Sequence, residues 1–342
     1  MAGFARGDGP NRPARSPLGS KCGAKPRNHE PPSPMPETLS LGSRLVHAVS
    51  AVVLGKPEAV ELTITGLLAG GHVLIEDRPG VGKTLLARSI ARALDLPYQR
   101  LQCTADLLPS DVLGSQVYVR DSGELRFQPG PVFTSVLVAD ELNRTPPRTQ
   151  SALLECMAEG AVTVDRTTHP LPDPFFVVAT QNPSSSAGTY PLPDSQLDRF
   201  LIRITLGYPD LAEECSIVAR EDGHRALDGM TAVADAKDLL AARDAIQAVR
   251  LQDDVLRYLV ELCRRTRESA DVEVGVSPRG AQALHRACRA RAALRGRDFV
   301  IPEDVQQLAL PVLAHRMAVP RGAVDAAAAV LSELLHAVGA PD

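Results

Sequence analysis

The stretch His72-Val-Leu-Ile-Glu76, then Asp77-Arg-Pro-Gly-Val-Gly-Lys-Thr84, then the helix-patterned run Leu85–Leu94, decides the fold class. A short apolar strand entering a glycine-rich turn and leaving it as a helix is the setting a phosphate-binding loop needs. Gly80 and Gly82 let backbone N–H groups curl around phosphate oxygens, and the helix N-terminus adds unpaired N–H groups and its dipole. Pro79, Gly80, Val81, Gly82, Lys83, Thr84 and Leu85 are therefore the expected nucleotide contacts. The Lys83 ammonium would reach the β and γ phosphates, and the Thr84 hydroxyl would hold Mg²⁺. The strict pattern begins with glycine, where this chain has Asp77.

Downstream, Ser135-Val-Leu-Val-Ala139 reads as a buried central strand that ends in Asp140-Glu141. Two acids at the end of a buried strand are costly unless they serve a cation or a polarised water. Asp140 is the expected Mg²⁺ ligand, and Glu141 the base that orients and deprotonates the attacking water. A P-loop kinase needs no such second acid, so Glu141 argues for hydrolysis. A further buried strand, Pro174–Thr180, leads to Gln181-Asn182-Pro183, which places Asn182 beside the γ phosphate. An amide there can bond both phosphate and water. Arg199, in Leu197-Asp-Arg-Phe200, is a candidate arginine finger toward a neighbouring subunit. In Ser277-Pro-Arg279 the serine caps a helix and proline takes its first position. An arginine in that first turn opposes the helix dipole, which suggests that Arg279 faces an anion, ATP.

Strand and helix patterns alternate from Gly71 to about residue 210, the signature of a parallel sheet covered by helices. The chain then reads as almost wholly helical, and Gly207-Tyr-Pro-Asp210 is the expected boundary. The expected organisation is a tail over 1–37, a nucleotide-binding core over 38–210, and linker helices with a helical lid over 211–342. Eight prolines crowd the tail, with six cations against three anions, so it carries +3 and should be disordered. A start of translation at Met35 would remove nearly all of it.

Of 342 residues, 44% are apolar and 23% charged, which excludes global disorder and a coiled coil. No apolar run is long enough to span a membrane. The net charge of −4 makes a poor unspecific nucleic-acid binder. The six cysteines are scattered, with no Cys-x-x-Cys pair, which points to a reducing compartment and a cytoplasmic location.

Taken in order, these segments resemble the MoxR branch of the AAA+ ATPases. The resemblance runs from about Leu39 to about Val319. Beyond the loop and the acids it is carried by Leu107-Leu-Pro-Ser-Asp111, Phe127-Gln-Pro-Gly-Pro131 and Ala139-Asp-Glu-Leu-Asn-Arg144. Further on, Gly188-Thr-Tyr-Pro-Leu-Pro193, Leu197-Asp-Arg-Phe200 and Val276-Ser-Pro-Arg279 carry it. The resemblance implies an α/β fold with a five-stranded parallel sheet, followed by an all-helical lid. It implies Mg²⁺-dependent ATP hydrolysis in a homo-oligomeric ring, expected to be a hexamer. It also implies a chaperone-like role on a protein client, such as one with a von Willebrand factor A domain.

By position, Lys83 and Thr84 are Walker A, Asp140 and Glu141 Walker B, Asn182 sensor 1 and Arg279 sensor 2. Whether Arg279 serves its own site or a neighbour's is left open. Two hairpins, around Asp121-Ser-Gly123 and after Ala161, match the clade and in family terms face the ring pore. Arg78 and the run Ser184–Ala187 depart from the family pattern. Two alternatives stand beside this reading: an ATP-gated scaffold with little turnover, and a nucleic-acid-linked motor, which the charge disfavours.

Overall fold

The computed structural model describes residues 37–341 apart from 79, 183–187, 220–222 and 321–323. The expected tail up to residue 36, the alternative start at Met35, the contact Pro79 and the run Ser184–Ala187 lie outside the described residues.

Two helices open the described chain, α1 (Glu37–Ser50) and α2 (Pro57–Leu68), the second with proline at its first position. Next come β1 (Val73–Glu76), α3 (Lys83–Ala93), β2 (Tyr98–Gln102) and the one-turn α4 (Pro109–Leu113). A hairpin of β3 (Gly114–Val119) and β4 (Glu124–Pro129) precedes β5 (Val136–Asp140) and α5 (Pro147–Glu159). A second hairpin, β6 (Ala161–Val164) and β7 (Thr167–Pro170), leads to β8 (Phe176–Gln181), the short α6 (Asp194–Leu197) and β9 (Ile202–Ile204). The remainder is helical: α7 (Leu211–Ala219), α8 (Gly223–Asp228), α9 (Ala236–Gln247), α10 (Asp253–Glu268), α11 (Pro278–Leu294), α12 (Pro302–Leu313) and α13 (Val324–Ala337).

The main sheet has five strands, all parallel, in the order β2-β5-β8-β1-β9. Its three central strands, β1, β5 and β8, bury both faces, so they read as apolar runs rather than as alternating ones, while the edge strand β2 is mostly exposed. Successive side chains still go to opposite sides. Ile75, Val138, Val178 and Ile204 join the cluster shared with α1, α2, α3 and the later helices. Leu74, Leu137, Val177 and Ala179 join the other, with Leu153, Leu154 and Met157 of α5. The helices α1 and α2 pack on α9 and α11, so a single apolar cluster links the sheet to the helical half.

Three central strands thus present their carboxyl ends side by side. β1 ends at the phosphate loop, β5 at Asp140 and β8 at Gln181, with Glu76 in register with Gln181 and Gln102 with Asp140. Ligands of open α/β sheets bind at such ends.

Candidate nucleotide site

The loop between β1 and α3 follows from two glycines. Gly80 and Gly82 hold φ of +86° and +92°, a region that side chains with a Cβ rarely enter. Open space surrounds the Cβ position of each, so backbone conformation and not crowding demands glycine. Gly82 caps α3 without any side-chain hydrogen bond, which leaves the first N–H groups of the helix open to an anion. Lys83 Nζ donates to the Asp77 carbonyl oxygen at 2.6 Å. Partial burial lowers the lysine's pKa, and the nearby charges of Asp77, Asp140 and Glu141 work the other way. Val81, Thr84 and Leu85 flank it on the loop and the first helical turn.

Thr84 Oγ1 donates to Asp140 Oδ2 at 3.5 Å, a long bond, and Thr180 Oγ1 donates to Asp140 Oδ1 at 3.3 Å. Asp140 is only 6% exposed. Its strongest partner was not anticipated: Arg100 Nε, from β2, lies 2.6 Å from Oδ2. Glu141 adopts a left-handed conformation, φ +57° and ψ 49°, as the strand turns into a 3-10 turn over Leu142–Arg144. For a residue with a Cβ this costs on the order of 1 kcal/mol. The Thr180 hydroxyl accepts from Glu141 N at 2.9 Å, and Arg144 Nη1 donates to Glu141 Oε2 at 2.9 Å. Asn182 directly follows β8, where the Asp77 N–H donates to the Gln181 carbonyl at 3.1 Å and Asn143 Nδ2 donates to the Asn182 carbonyl at 3.3 Å. Lys83, Thr84, Asp140, Glu141 and Asn182 are therefore gathered at one end of the sheet.

Arg199 and Arg279 are not gathered with them. The Leu201 N–H donates to the His72 carbonyl at 2.8 Å, at the amino end of β1. That places Arg199 a strand length, roughly 13 Å, from the end that bears the loop. Arg199 Nη1 donates to the Leu154 carbonyl at 3.0 Å. Ser277 caps α11 as expected, accepting from Gly280 N at 3.2 Å. The anion that Arg279 faces within the chain is the Asp198 carboxylate, 3.6 Å from Nε. Asp198 also receives the buried Arg316, at 2.8 Å.

Sequence reasoning missed one wall of the site. A cavity of 410 Å³ is lined by Val52, Val53, Gly80, Gly82, Leu85, Tyr208, Pro209, Ile217 and Val218. It is apolar, opens beside the phosphate loop and is large enough for a purine base. Gly207–Asp210 read only as a boundary, and nothing local ties it to Val52 and Val53, more than 150 residues earlier. A second cavity, of 510 Å³, lies along β9 between α2 and α12 and includes none of the loop residues 77–84.

Residues 72–202 match the family model for the ATPase family associated with various cellular activities (AAA), and residues 264–334 match the AAA lid domain. The chain is 44% identical to the uncharacterized protein YeaC of Bacillus subtilis (strain 168), over 88% of this chain and 95% of that one. It is 38% identical to chaperone MoxR1 of Mycobacterium tuberculosis, over 80% of this chain and 74% of the relative. A crystal structure of a protein from Cytophaga hutchinsonii superimposes with a TM-score of 0.81 at 35% identity, covering 90% of this chain and 98% of that one.

Proposed function

The chain belongs to the MoxR family of AAA+ ATPases, and we propose that it is a Mg²⁺-dependent ATPase that remodels or activates a protein client. The observation that carries this reading is the convergence of Thr84, Asp140 and Glu141 beside an open-ended α3. The donors suit the metal: a hydroxyl and a carboxylate, hard oxygen ligands, approach within 3.5 Å of each other. When bound, Mg²⁺ would supply positive charge that neutralises the charge developing on the phosphate. Thr84 and Asp140 would hold it, directly or through water. Lys83 would neutralise the phosphates, Glu141 would take the proton of the attacking water, and Asn182 would orient that water. The apolar cavity would take the adenine.

Arg199 and Arg279, at the other end of the sheet, would complete a neighbour's site in a ring, which we take to be a hexamer. The domain division at 207–210 belongs to the same proposal, with the helices from 211 moving as a lid. So does the client, a protein such as one with a von Willebrand factor A domain, the relative's name being that of a chaperone. The β3–β4 hairpin, with Tyr118 60% and Leu125 68% exposed, offers it an apolar surface. A reducing cytoplasmic setting suits the free cysteines, of which Cys103, Cys156, Cys263 and Cys288 are buried. Among the described residues no helix is long and apolar enough to cross a membrane.

The test is steady-state ATP hydrolysis with Mg²⁺ at rising protein concentration, for wild type and Arg199→Ala. A rate per subunit that rises with concentration, and is lost in the variant, is expected. A concentration-independent rate that survives the substitution would remove the ring and the role of Arg199 together.

A further inference from the structure

Two residues that depart from the expected loop pattern, Asp77 and Arg78, both reach the same segment. Asp77 Oδ2 accepts from two successive backbone N–H groups, Leu206 at 2.7 Å and Gly207 at 2.6 Å. Gly207 has φ +63°, so the pair of N–H groups forms a small concave nest for an anion, filled here by a carboxylate of the chain itself. The other oxygen, Oδ1, accepts from Arg78 N at 2.7 Å, and the Asp77 carbonyl accepts from Lys83. The Arg78 guanidinium lies over the ring of Tyr208, 5.9 Å from its centroid.

The loop is thus fastened to three consecutive residues, 206–208, directly before Pro209 and α7. Tyr208, Pro209, Ile217 and Val218 line the apolar cavity. None of the side chains of α7 is buried, so packing does little to fix that helix. Charge-assisted bonds from a carboxylate to backbone N–H groups are strong and directional. A glycine at position 77, as the strict loop pattern has, could make none of them.

We propose that Asp77 and Arg78 form a clasp that transmits occupancy of the phosphate loop to residues 205–219, the passage from sheet to helical half. They are positioning residues: neither needs to touch the nucleotide. Phosphate that orders the loop from Gly80 to Leu85 fixes Asp77 through Lys83 and the turn, and Asp77 with Arg78 then fixes 206–208. Coupling of this kind needs a physical link that both sites bias, and the clasp is that link. The inference rests on the reading of the loop as a nucleotide site.

The test separates phosphate from base. Tripolyphosphate with Mg²⁺ fills a phosphate loop but has no base to enter the cavity. Hydrogen exchange would be followed in peptides covering 80–85 and 205–219, for wild type, Asp77→Gly and Arg78→Ala. Tripolyphosphate would be used at concentrations that displace fluorescent ADP. Asp77→Gly restores the glycine of the strict pattern and Arg78 is exposed, so both variants keep the loop able to fold.

In wild type, tripolyphosphate should slow exchange in both regions. In Asp77→Gly it should slow exchange at 80–85 alone, and in Arg78→Ala the effect at 205–219 should fall to about half. Equal protection of 205–219 in all three proteins would overturn the clasp. So would wild type protected at 80–85 only, or tripolyphosphate that cannot displace bound ADP, since no phosphate grip would be left to report. Failure of wild type to bind ADP at all would instead defeat the functional reading on which the clasp rests.

Discussion

Arg279 Nε stands 3.6 Å from Asp198 Oδ2, next to Arg199 in the chain and at the amino end of the sheet, with the phosphate loop at the other. Both arginines that the sequence suggested for the nucleotide are thus away from the end of the sheet that bears the loop, and the proposed ring would use them at a neighbour's site. Mixing two inactive variants tests this. Glu141→Gln keeps its arginines but loses its base, and Arg199→Ala keeps its base but loses its finger. Randomly assembled one-to-one rings should recover about a quarter of the wild-type rate, because half the sites keep Glu141 and half of those meet an intact Arg199. No recovery, in mixtures whose subunits demonstrably exchange, would place Arg199 in its own site.

The base assigned to Glu141 makes its own forecast. The left-handed turn at Glu141 separates it from Asp140, which stays at the end of β5. Glu141→Gln keeps shape and hydrogen bonding to Arg144 but cannot accept a proton. Turnover should fall by about 10² or more, with ATP affinity nearly unchanged. Rapid-quench hydrolysis alongside fluorescent-nucleotide binding reads both quantities. A variant that hydrolyses at the wild-type rate would favour the slow scaffold reading.

Arg100 competes for the carboxylate that should hold the metal. Its guanidinium is exposed on one side and lies 2.6 Å from Asp140 Oδ2, while the Thr84 hydroxyl is 3.5 Å away. Arg100→Met keeps the length and removes the charge. Mn²⁺ binding with ADP present, followed by electron paramagnetic resonance, should tighten by about fivefold. Unchanged or weaker binding would mean that Arg100 positions Asp140 rather than rivals the cation.

The core of the site was legible because each part is local: strand, glycines, lysine and threonine fall within 13 residues, and Asp140-Glu141 end an unbroken apolar run. The three central strands were legible for the same reason, since burial on both faces leaves continuous apolar segments, whereas the polar edge strand β2 was implied only by the family resemblance. The starts of α2 and α11 announced themselves through Pro57 and Ser277-Pro278. What stayed hidden depends on distant register. Arg100 meets Asp140 only because β2 pairs with β5, and Val52 meets Tyr208 only because the chain returns across the loop. The role of Arg279 needed the fold most of all, because the first turn of a helix shows that an anion is near but not which one.

His72 shows how one buried side chain sets a pH limit. Its Nδ1 accepts from Val177 N at 3.1 Å and its Nε2 meets the Met157 carbonyl at 3.0 Å, so the neutral ring satisfies both partners. A protonated ring would aim an N–H at the N–H of Val177. Burial, the largest cause, pushes the pKa down to about 4, and the charges of Arg243 and Arg286 push the same way. The unfolded chain, with an ordinary histidine near 6.5, takes up a proton that the folded chain refuses. The stabilisation is therefore complete above pH 6.5 and is lost as the pH falls toward 4. Between neutrality and pH 5 the loss from His72 alone amounts to about 2 kcal/mol. His315, buried beside Arg316, is shifted in the same direction. In His72→Gln the amide can replace both hydrogen bonds without titrating. Urea unfolding at pH 7.5 and at pH 5.0 should then show a smaller loss of midpoint than in wild type. An identical loss in the two proteins would mean that His72 titrates as it does in the unfolded chain.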